Sequence, residues 1–242
     1  RTMPSRSDSD GTVRAPHGLV CSVDARASAA GVAVLDRGGT AVDAAIATNA
    51  VLTVTAQHLC GLGGDLFALV HPAAGGGDPD ALVAVGAAGS GADADQLRAQ
   101  GHAQLPRRGD IRTVTVPGCV DGWLALHERY GRLPLADLLE PARRHAVDGF
   151  PASAPLAAAA TRIAGLAGAG DYHRPGGLHP GDRVTRPLVG RTLATIADRG
   201  RHGFYAGAFG DGLVELGQGL FTADDLTRPH ARWARPVGRP AW

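Results

Sequence analysis

Residues 60–70 read CGLGGDLFALV, a glycine-rich turn that runs directly into a short apolar segment. Before this turn, residues 41–54 are almost wholly apolar or small, and Thr40 is a suitable N-cap, so we predict a central buried helix. After it, Leu66–Val70 and Ala81–Val85 predict two strands joined by a glycine-rich loop. The sequence therefore predicts a mixed α and β protein, with a tight turn between a buried helix and a β-hairpin.

The glycine turn has two interpretations. A phosphate-binding loop runs from strand into helix or carries Gly-Lys-Ser/Thr, whereas this turn runs from helix into strand and the chain contains no lysine. Close backbone packing at Gly63 and Gly64 is therefore the favoured interpretation. Asp65 is then expected to order the loop near a site, and a catalytic role for its carboxylate is the less favoured alternative.

Further elements follow from the spacing of apolar residues and from helix stop and start signals. Helices are predicted over residues 25–37, 120–130, 135–147, 187–199 and 209–217, and short strands over residues 18–23 and 113–116. Thr222 is expected to cap a final helical turn. Residues 1–16 are polar, so we expect them to form a flexible N-terminal arm.

Composition excludes several classes of function. With 24 basic residues, 23 acidic residues and a formal net charge of +1, the chain lacks the basic excess of a nucleic-acid-binding protein. No apolar run is long enough to span a membrane. The three cysteines are scattered, which argues against a disulfide framework and against a metal site. We expect a cytoplasmic protein, because no signal peptide is visible, although one removed upstream would leave no trace.

No complete catalytic constellation is visible in this chain. The sequence contains neither a G-x-S-x-G nor an H-E-x-x-H motif. Arg107, Arg108 and Arg112 precede a predicted strand and could receive a substrate carboxylate, but a solvated basic turn is the favoured interpretation. The residues alone therefore indicate a globular α and β protein whose activity they do not define.

Six blocks of this sequence, taken in order, resemble the γ-glutamyltransferase (γ-glutamyltranspeptidase) family. The blocks are residues 38–47, 60–70, 115–123, 130–142 with 148–151, 204–207 and 220–226. The glycine turn, read as GLGGD, is similar to the form found in one branch of that family. The resemblance covers roughly residues 18–236, and it is carried by the order of the blocks as much as by any one of them.

The resemblance implies an N-terminal-nucleophile (Ntn) hydrolase of α+β class, with an αββα four-layer sandwich that a second, small chain completes. In that family a precursor cleaves itself, and the new N-terminal threonine of the small chain is the nucleophile, with its own α-amine as base. Residues 17–242 then form the large-chain portion of one domain, without a catalytic residue or cofactor of their own. The implied partners are that small chain and a small-molecule substrate.

One departure from the family pattern concerns the substrate pocket. In ordinary members an arginine after the hairpin turn holds the glutamyl α-carboxylate, and that position here falls on Val85. A valine cannot pair with a carboxylate, so Val85 and Gly86 are predicted to form a wall of an altered pocket. Residues 81–96 contain no arginine. Only an arginine from elsewhere could restore the contact, the candidates being Arg107, Arg108 and Arg112.

The altered pocket favours amide or carbon–carbon bond hydrolysis of a small molecule in antibiotic or secondary-metabolite biosynthesis. Family members on the lincomycin and pyrrolobenzodiazepine routes cleave such a carbon–carbon bond in an alkylproline precursor. The lysine-free composition is typical of a high-GC actinobacterial source, which is consistent with this hypothesis. The alternatives are an ordinary γ-glutamyl hydrolase or transferase and a degenerate member without activity.

Replacing Val85 with arginine tests whether Val85 occupies the position of the family's carboxylate-binding arginine. The Val85→Arg substitution is expected to raise kcat/KM on a γ-glutamyl anilide by about tenfold or more, because a charge-assisted hydrogen bond would hold the α-carboxylate. Initial rates of the folded, complete two-chain protein give the measurement. An unchanged rate in folded protein would show that Val85 does not occupy the carboxylate position.

Overall fold

The computed structural model describes residues 6–7, 12–72, 78–106, 109–166 and 168–236. The described residues form nine α-helices: α1 (Ala25–Asp36), α2 (Ala41–Thr55), α3 (Ala94–Ala99), α4 (Cys119–Tyr130), α5 (Leu135–Asp148), α6 (Ala154–Ala160), α7 (Pro187–Tyr205), α8 (Ala208–Gly217) and α9 (Ala223–Thr227). They form seven strands: β1 (Arg6–Ser7), β2 (Val13–Arg14), β3 (Leu66–Val70), β4 (Asp80–Ala84), β5 (Phe150–Pro151), β6 (Arg183–Val184) and β7 (Ala231–Ala234). Single 3-10 turns occur at Ile111–Thr113, Thr161–Ile163 and Gly170–Tyr172.

Helix α2 is the centre of the helical layer, as its apolar sequence predicts. It packs between α1 and α5, and α5 packs in turn on α7. The Thr40 side chain and the Asp43 carboxylate form a reciprocal capping box at its start. The buried Asp43 carboxylate also accepts the backbone N–H groups of Arg132 and Leu133, at 3.1 and 3.3 Å, and so ties the α4–α5 connection to α2.

The main sheet has three antiparallel strands in the order β3–β4–β7. The predicted hairpin is present, and its register pairs Leu66 with Ala84. Strand β7 continues the same row by pairing Ala231 with Ala84. The sequence did not predict β7, because its residues lie in a tail rich in arginine and proline. It is anchored by Trp233, whose ring packs edge-on against Tyr130 with the centroids 5.8 Å apart.

The two faces of this sheet differ in their surroundings. Leu82 and Ala84 are fully buried against the helices, where α4 covers the sheet. On the opposite face Phe67 and Leu69 are 70% and 71% exposed. Because side chains alternate along a strand, this face is an apolar surface that the described part of the chain leaves uncovered.

Several predicted elements differ from the structure. Residues 18–23 form no strand, and none of their backbone groups joins a ladder among the described residues. Residues 113–116 form no strand: Thr113 ends the 3-10 turn Ile111–Thr113, and in the segment that follows the Val116 amide donates to the Ala87 carbonyl at 3.0 Å. Helix α7 runs beyond residue 199 to Tyr205 across a break at Gly200, where φ is +54°. Within the predicted arm, β1 pairs with β2, while residues 1–5 and 8–11 lie outside the described residues.

The predicted α+β class is confirmed by this combination of a helical layer and an antiparallel sheet. Among the described residues, no helix combines the length and the apolar character needed to cross a membrane.

Two glycines allow the backbone at the end of β4 to pack directly against the backbone at the start of α4. A Cβ atom at Gly86 would lie 1.3 Å from the carbonyl oxygen of Val116. A Cβ atom at Gly118 would lie 2.2 Å from the carbonyl oxygen of Ala84. Each glycine therefore packs against a backbone carbonyl two residues before the other glycine. Neither position has room for a side chain.

This crossing predicts a large cost for the smallest possible side chain. Gly86→Ala should lower the free energy of unfolding of the complete protein by about 3 kcal/mol, because the Val116 backbone must move. Gly212→Ala is the matched control, since a Cβ atom there meets nothing within 4 Å and alanine favours the exposed helix by about 0.5–1 kcal/mol. Urea unfolding measures both. Equal stability of the two variants would contradict the crossing.

Candidate functional site

The register of the sheet brings three segments of the chain together at one end of the sheet. Leu66, Ala84 and Ala231 share one row of the ladder, and β4 is antiparallel to both of its neighbours. The glycine turn before β3, the segment after β4 and the segment before β7 therefore meet at this end. Ala84 and Ala231, which are 147 positions apart in the sequence, thus become neighbours.

The glycine turn contributes its backbone more than its side chains. The Gly64 carbonyl accepts the N–H groups of Gly118 and Cys119, at 3.1 and 2.9 Å, and so caps the start of α4. A Cβ atom at Gly63 would meet no atom of the described chain within 4 Å, so the predicted close packing is found at Gly86 and Gly118 instead.

Asp65 is exposed at the start of β3, and no hydrogen bond or ion pair of its carboxylate is found among the described residues. It lines a cavity of about 280 Å³ together with Asn49 and Trp123. Asn49 is held there, because its Oδ1 accepts the indole N–H of Trp123 at 2.8 Å. The ordering role of Asp65 stays a prediction.

Val85 lies on a small cavity at the same end of the sheet. Its side chain is 40% exposed. The cavity has a volume of about 120 Å³ and is lined by Val85, Ala87, Ala88, Val116, Asp225, Arg228, Pro229 and His230. Gly86 is buried in the backbone crossing behind it and is not among the lining residues. Val85 is thus part of a cavity wall, and the charged residues of that wall are Asp225 from α9 and Arg228 from the α9–β7 connection.

Asp225 joins this connection to the segment after β4. Its Oδ2 accepts both the backbone N–H and the hydroxyl of Ser90, at 3.0 and 2.9 Å. The same oxygen accepts the backbone N–H of Thr222 at 2.9 Å, within the predicted capping box of α9. The hydrogen bond from the Ser90 amide, followed by that from the Thr222 amide, holds the pKa of the Asp225 carboxyl well below its usual range. Burial alone would raise that pKa.

Two residues of the cavity wall each have one buried side-chain atom without a hydrogen bond among the described residues. They are Asp225 (Oδ1), a residue 2% exposed, and His230 (Nε2), a residue 7% exposed. The Arg228 guanidinium lies 3.8 Å from Asp225 Oδ1, within ion-pair range but beyond hydrogen-bond distance, and its side chain is 62% exposed. Both atoms are covered by the protein itself, so neither is open to the cavity.

His230 is held in position from behind. Its backbone N–H donates to Oδ2 of the buried Asp121 at 2.8 Å, and Asp121 also pairs with Arg201 at 3.0 Å. Burial lowers the pKa of His230 below its ordinary value, so the imidazole is neutral near pH 7. The neutral ring can accept or donate one hydrogen bond at Nε2.

The arginines proposed from the sequence do not supply a free cation to this cavity. Arg112 does not line it, and its guanidinium is bound to both carboxylate oxygens of Asp110, the shortest contact being 2.5 Å. This pairing lowers the pKa of Asp110 to about 2. Arg107 lies outside the described residues, as does Arg108. Asp225, Arg228 and His230 were not predicted as site residues, because Asp225 lies in a segment interpreted as a capped helical turn and a family block, and the other two lie in a tail rich in arginine and proline.

Two of the three thiols, those of Cys60 and Cys119, are poorly suited to nucleophilic attack. Burial raises the pKa of the Cys119 thiol to about 12, and burial also raises that of Cys60. Within the part of the chain that the structure describes, no group of three or more His, Cys, Asp and Glu side chains is placed to hold a metal ion.

Comparison with known proteins identifies the family to which this fold belongs. Residues 27–240 match the gamma-glutamyltranspeptidase family. The chain is similar to the gamma-glutamyltranspeptidase structure of Helicobacter pylori, with 28% identity and a TM-score of 0.85 over 93% of this chain and 67% of that one. The chain therefore belongs to the gamma-glutamyltranspeptidase family, and the resemblance carried by its sequence blocks is confirmed.

Two curated relatives show the range of that family. The chain is 36% identical to the glutathione hydrolase-like YwrD proenzyme of Bacillus subtilis, over 90% of this chain and 43% of the relative. It is 35% identical to the oxamate amidohydrolase proenzyme of Klebsiella pneumoniae, over 91% of this chain and 44% of the relative. The chain thus spans less than half the length of these relatives.

The Asp225 network predicts a pH-dependent contribution to stability. Asp225→Asn should lower the free energy of unfolding at pH 7 by about 2 kcal/mol, because a neutral amide oxygen accepts the Ser90 and Thr222 donors more weakly than a carboxylate does. A carboxyl with a depressed pKa stabilises the fold above its unfolded pKa of about 3.9 and loses that contribution as pH falls through its folded pKa. The difference from wild type should therefore shrink below pH 4.

Denaturant unfolding between pH 3 and pH 7 measures this difference. Asp224→Asn is the matched control, because Asp224 lies in the same helical turn but is exposed. A pH-independent difference for Asp225→Asn, or an equal effect at Asp224, would contradict the assigned role.

Proposed function

We propose that this chain is the large-chain portion of a self-processing Ntn hydrolase that cleaves an amide bond of a small molecule other than a γ-glutamyl compound. The observation that carries the proposal is the position of Val85, which lines a cavity at the end of the sheet in a member of this family. The amide preference is supported by the oxamate amidohydrolase relative, whose name states hydrolysis of an amide.

The proposed catalytic residue is the first threonine of a second chain cut from the same precursor. Both curated relatives are named proenzymes, and the raised pKa values of Cys60 and Cys119 make these two thiols poor nucleophiles. A terminal threonine holds its hydroxyl and its amine at a fixed separation, so the nucleophile carries its own base. Backbone donors would stabilise the oxyanion that forms at the attacked carbonyl.

The uncovered face of the sheet supports a partner chain at this surface. Phe67 and Leu69 would be buried by a second layer, as in a four-layer sandwich. The large chain then supplies a wall of the substrate site through the segment after β4 and the α9–β7 connection, while the second chain supplies the reacting group.

The substrate proposal follows from what Val85 cannot do. An α-carboxylate beside Val85 would gain no ion pair from that residue, and Arg112 is already bound to Asp110. Arg228 is the cation that the structure places on this cavity, but the Asp225 carboxylate stands beside it. A bare carboxylate would therefore meet a negative charge as well as a positive one.

Carbon–carbon bond hydrolysis next to a ketone is the second reaction that the altered pocket suits. A threonine nucleophile attacks a keto carbon as it attacks an amide carbonyl, and the two reactions differ in the leaving group. A role in antibiotic or secondary-metabolite biosynthesis, including the alkylproline branch, is a prediction supported by the lysine-free composition and the missing arginine.

A matched pair of substrates tests the proposed preference. The complete protein, shown by intact mass to contain a threonine-led small chain, would be assayed on γ-glutamyl p-nitroanilide and on 4-aminobutanoyl p-nitroanilide. The second compound is the first without its α-carboxylate. We expect kcat/KM to be at least tenfold higher for 4-aminobutanoyl p-nitroanilide, about 1.4 kcal/mol in transition-state binding.

Faster hydrolysis of the γ-glutamyl compound would identify an ordinary γ-glutamyl hydrolase or transferase and refute the proposal. An uncleaved precursor without activity on either compound would identify a degenerate member. The controls are the same assays on a precursor whose terminal threonine is replaced by alanine, which should release no nitroaniline.

A further inference from the structure

A larger cavity lies between α6, the turns that follow it and the residues that follow α2. Its volume is about 370 Å³, within the range of about 300–1,000 Å³ that is typical of small-molecule sites. At roughly 30 Å³ for each water-sized group, this volume corresponds to about twelve such groups. Among the described residues, it shares no lining residue with the cavity beside Val85. It is therefore a separate candidate for ligand binding.

Most of the wall of this cavity is apolar. Leu156 lies on α6, Ile163 lies in the 3-10 turn after it, and Leu166 follows that turn. Leu166 is 47% exposed, so the cavity leaves an apolar side chain in contact with water. A ligand with an apolar body would cover this surface and release the water from it.

Two polar side chains of the wall have hydrogen-bond donors without partners. The Oε1 atom of Gln57 accepts the hydroxyl group of Tyr172, but the two N–H bonds of its Nε2 have no acceptor among the described residues. Arg162 also lines the cavity and is exposed, and its guanidinium has no hydrogen bond or ion pair within the described part of the chain. Both groups are therefore available to an acceptor.

Tyr172 fixes the orientation of the Gln57 amide. Tyr172 is 7% exposed, and the Arg186 guanidinium lies over its ring, 5.5 Å from the centroid. Arg186 is buried as well and donates to the Thr53 carbonyl at 3.0 Å. Burial raises the pKa of Tyr172 to about 12, so its hydroxyl group keeps its proton near pH 7. The hydroxyl group occupies the amide oxygen of Gln57, which leaves the amide nitrogen for a ligand.

The charge of the lining selects the polar end of that ligand. Neither Asp nor Glu is among the described residues that line the cavity. Burial lowers the pKa of His58, so this lining residue is neutral near pH 7 and Arg162 supplies the charge. A positive wall whose unpaired groups are donors favours a carboxylate over a neutral or cationic group.

We propose that this cavity binds a monocarboxylate with an apolar body of about eight to ten carbon atoms, the size that remains after its carboxylate is counted. The carboxylate accepts from the Arg162 guanidinium and from Gln57 Nε2, and the apolar body packs against Leu156, Ile163 and Leu166. The inference is independent of the proposed function, because binding here requires no turnover.

Three probes with the same apolar body test the chemical class of the ligand. The complete two-chain protein would be titrated by calorimetry with phenylpropanoate, phenylpropanamide and phenylpropylammonium. Phenylpropanoate is expected to bind with a Kd of about 1 mM or lower, and the other two probes at least about tenfold more weakly. No measurable binding of phenylpropanoate, or equal or tighter binding of either other probe, would overturn the proposal.

Two substitutions test whether binding occurs at this cavity. Arg162→Met removes the guanidinium and keeps an apolar stem, while Gln57→Glu keeps an acceptor for Tyr172 and replaces the N–H donors with a negative charge. Each should lower the affinity for phenylpropanoate at least about tenfold. Arg191→Met and Gln96→Glu, at exposed positions on α7 and α3, are the matched controls and should leave it unchanged. An unchanged affinity in either cavity variant, in folded protein, would overturn the proposal whatever the protein hydrolyses.

Discussion

The arrangement of the site depends on one reciprocal backbone contact, in which Gly86 faces the Val116 carbonyl and Gly118 faces the Ala84 carbonyl. This contact sets the distance between the sheet and the start of α4. With it in place, Gly64 can cap α4 and Val116 can bond to Ala87. A larger residue at either glycine would separate these segments and move every group at that end of the sheet. The two glycines therefore contribute to the site by fixing the positions of the segments packed against them.

Local signals account for the parts of the fold that the sequence predicts well. The capping boxes at Thr40 and Thr222 and the hairpin β3–β4 involve residues close in the chain, so turn and cap chemistry identifies them. Strand β7 depends on pairing with β4 about 150 positions earlier, and its own composition favours a loop. Residues 18–23 show the opposite error, since a strand-like sequence needs a neighbouring strand to form a ladder.

The candidate site could be predicted only in part for the same physical reason. Val85 was found because its position in a family pattern is unusual, which is a property of the sequence. The hydrogen bonds from Ser90 to Asp225 join residues 135 positions apart, and no local pattern reveals them. Arg228 and His230 follow Asp225 closely in the chain, so the same contact brings them to the cavity that Val85 lines.

The uncovered apolar face of the sheet also has a consequence for how such a protein can be made in a cell. A sheet that presents Phe67 and Leu69 to water favours association, so a copy of this chain without a covering partner is expected to self-associate. In the proposed two-chain protein, synthesis as one polypeptide would place the complementary surface at a high effective concentration from the start. It would also give equal numbers of the two chains. Cleavage after folding would then break the covalent link once the buried interface holds the two chains together.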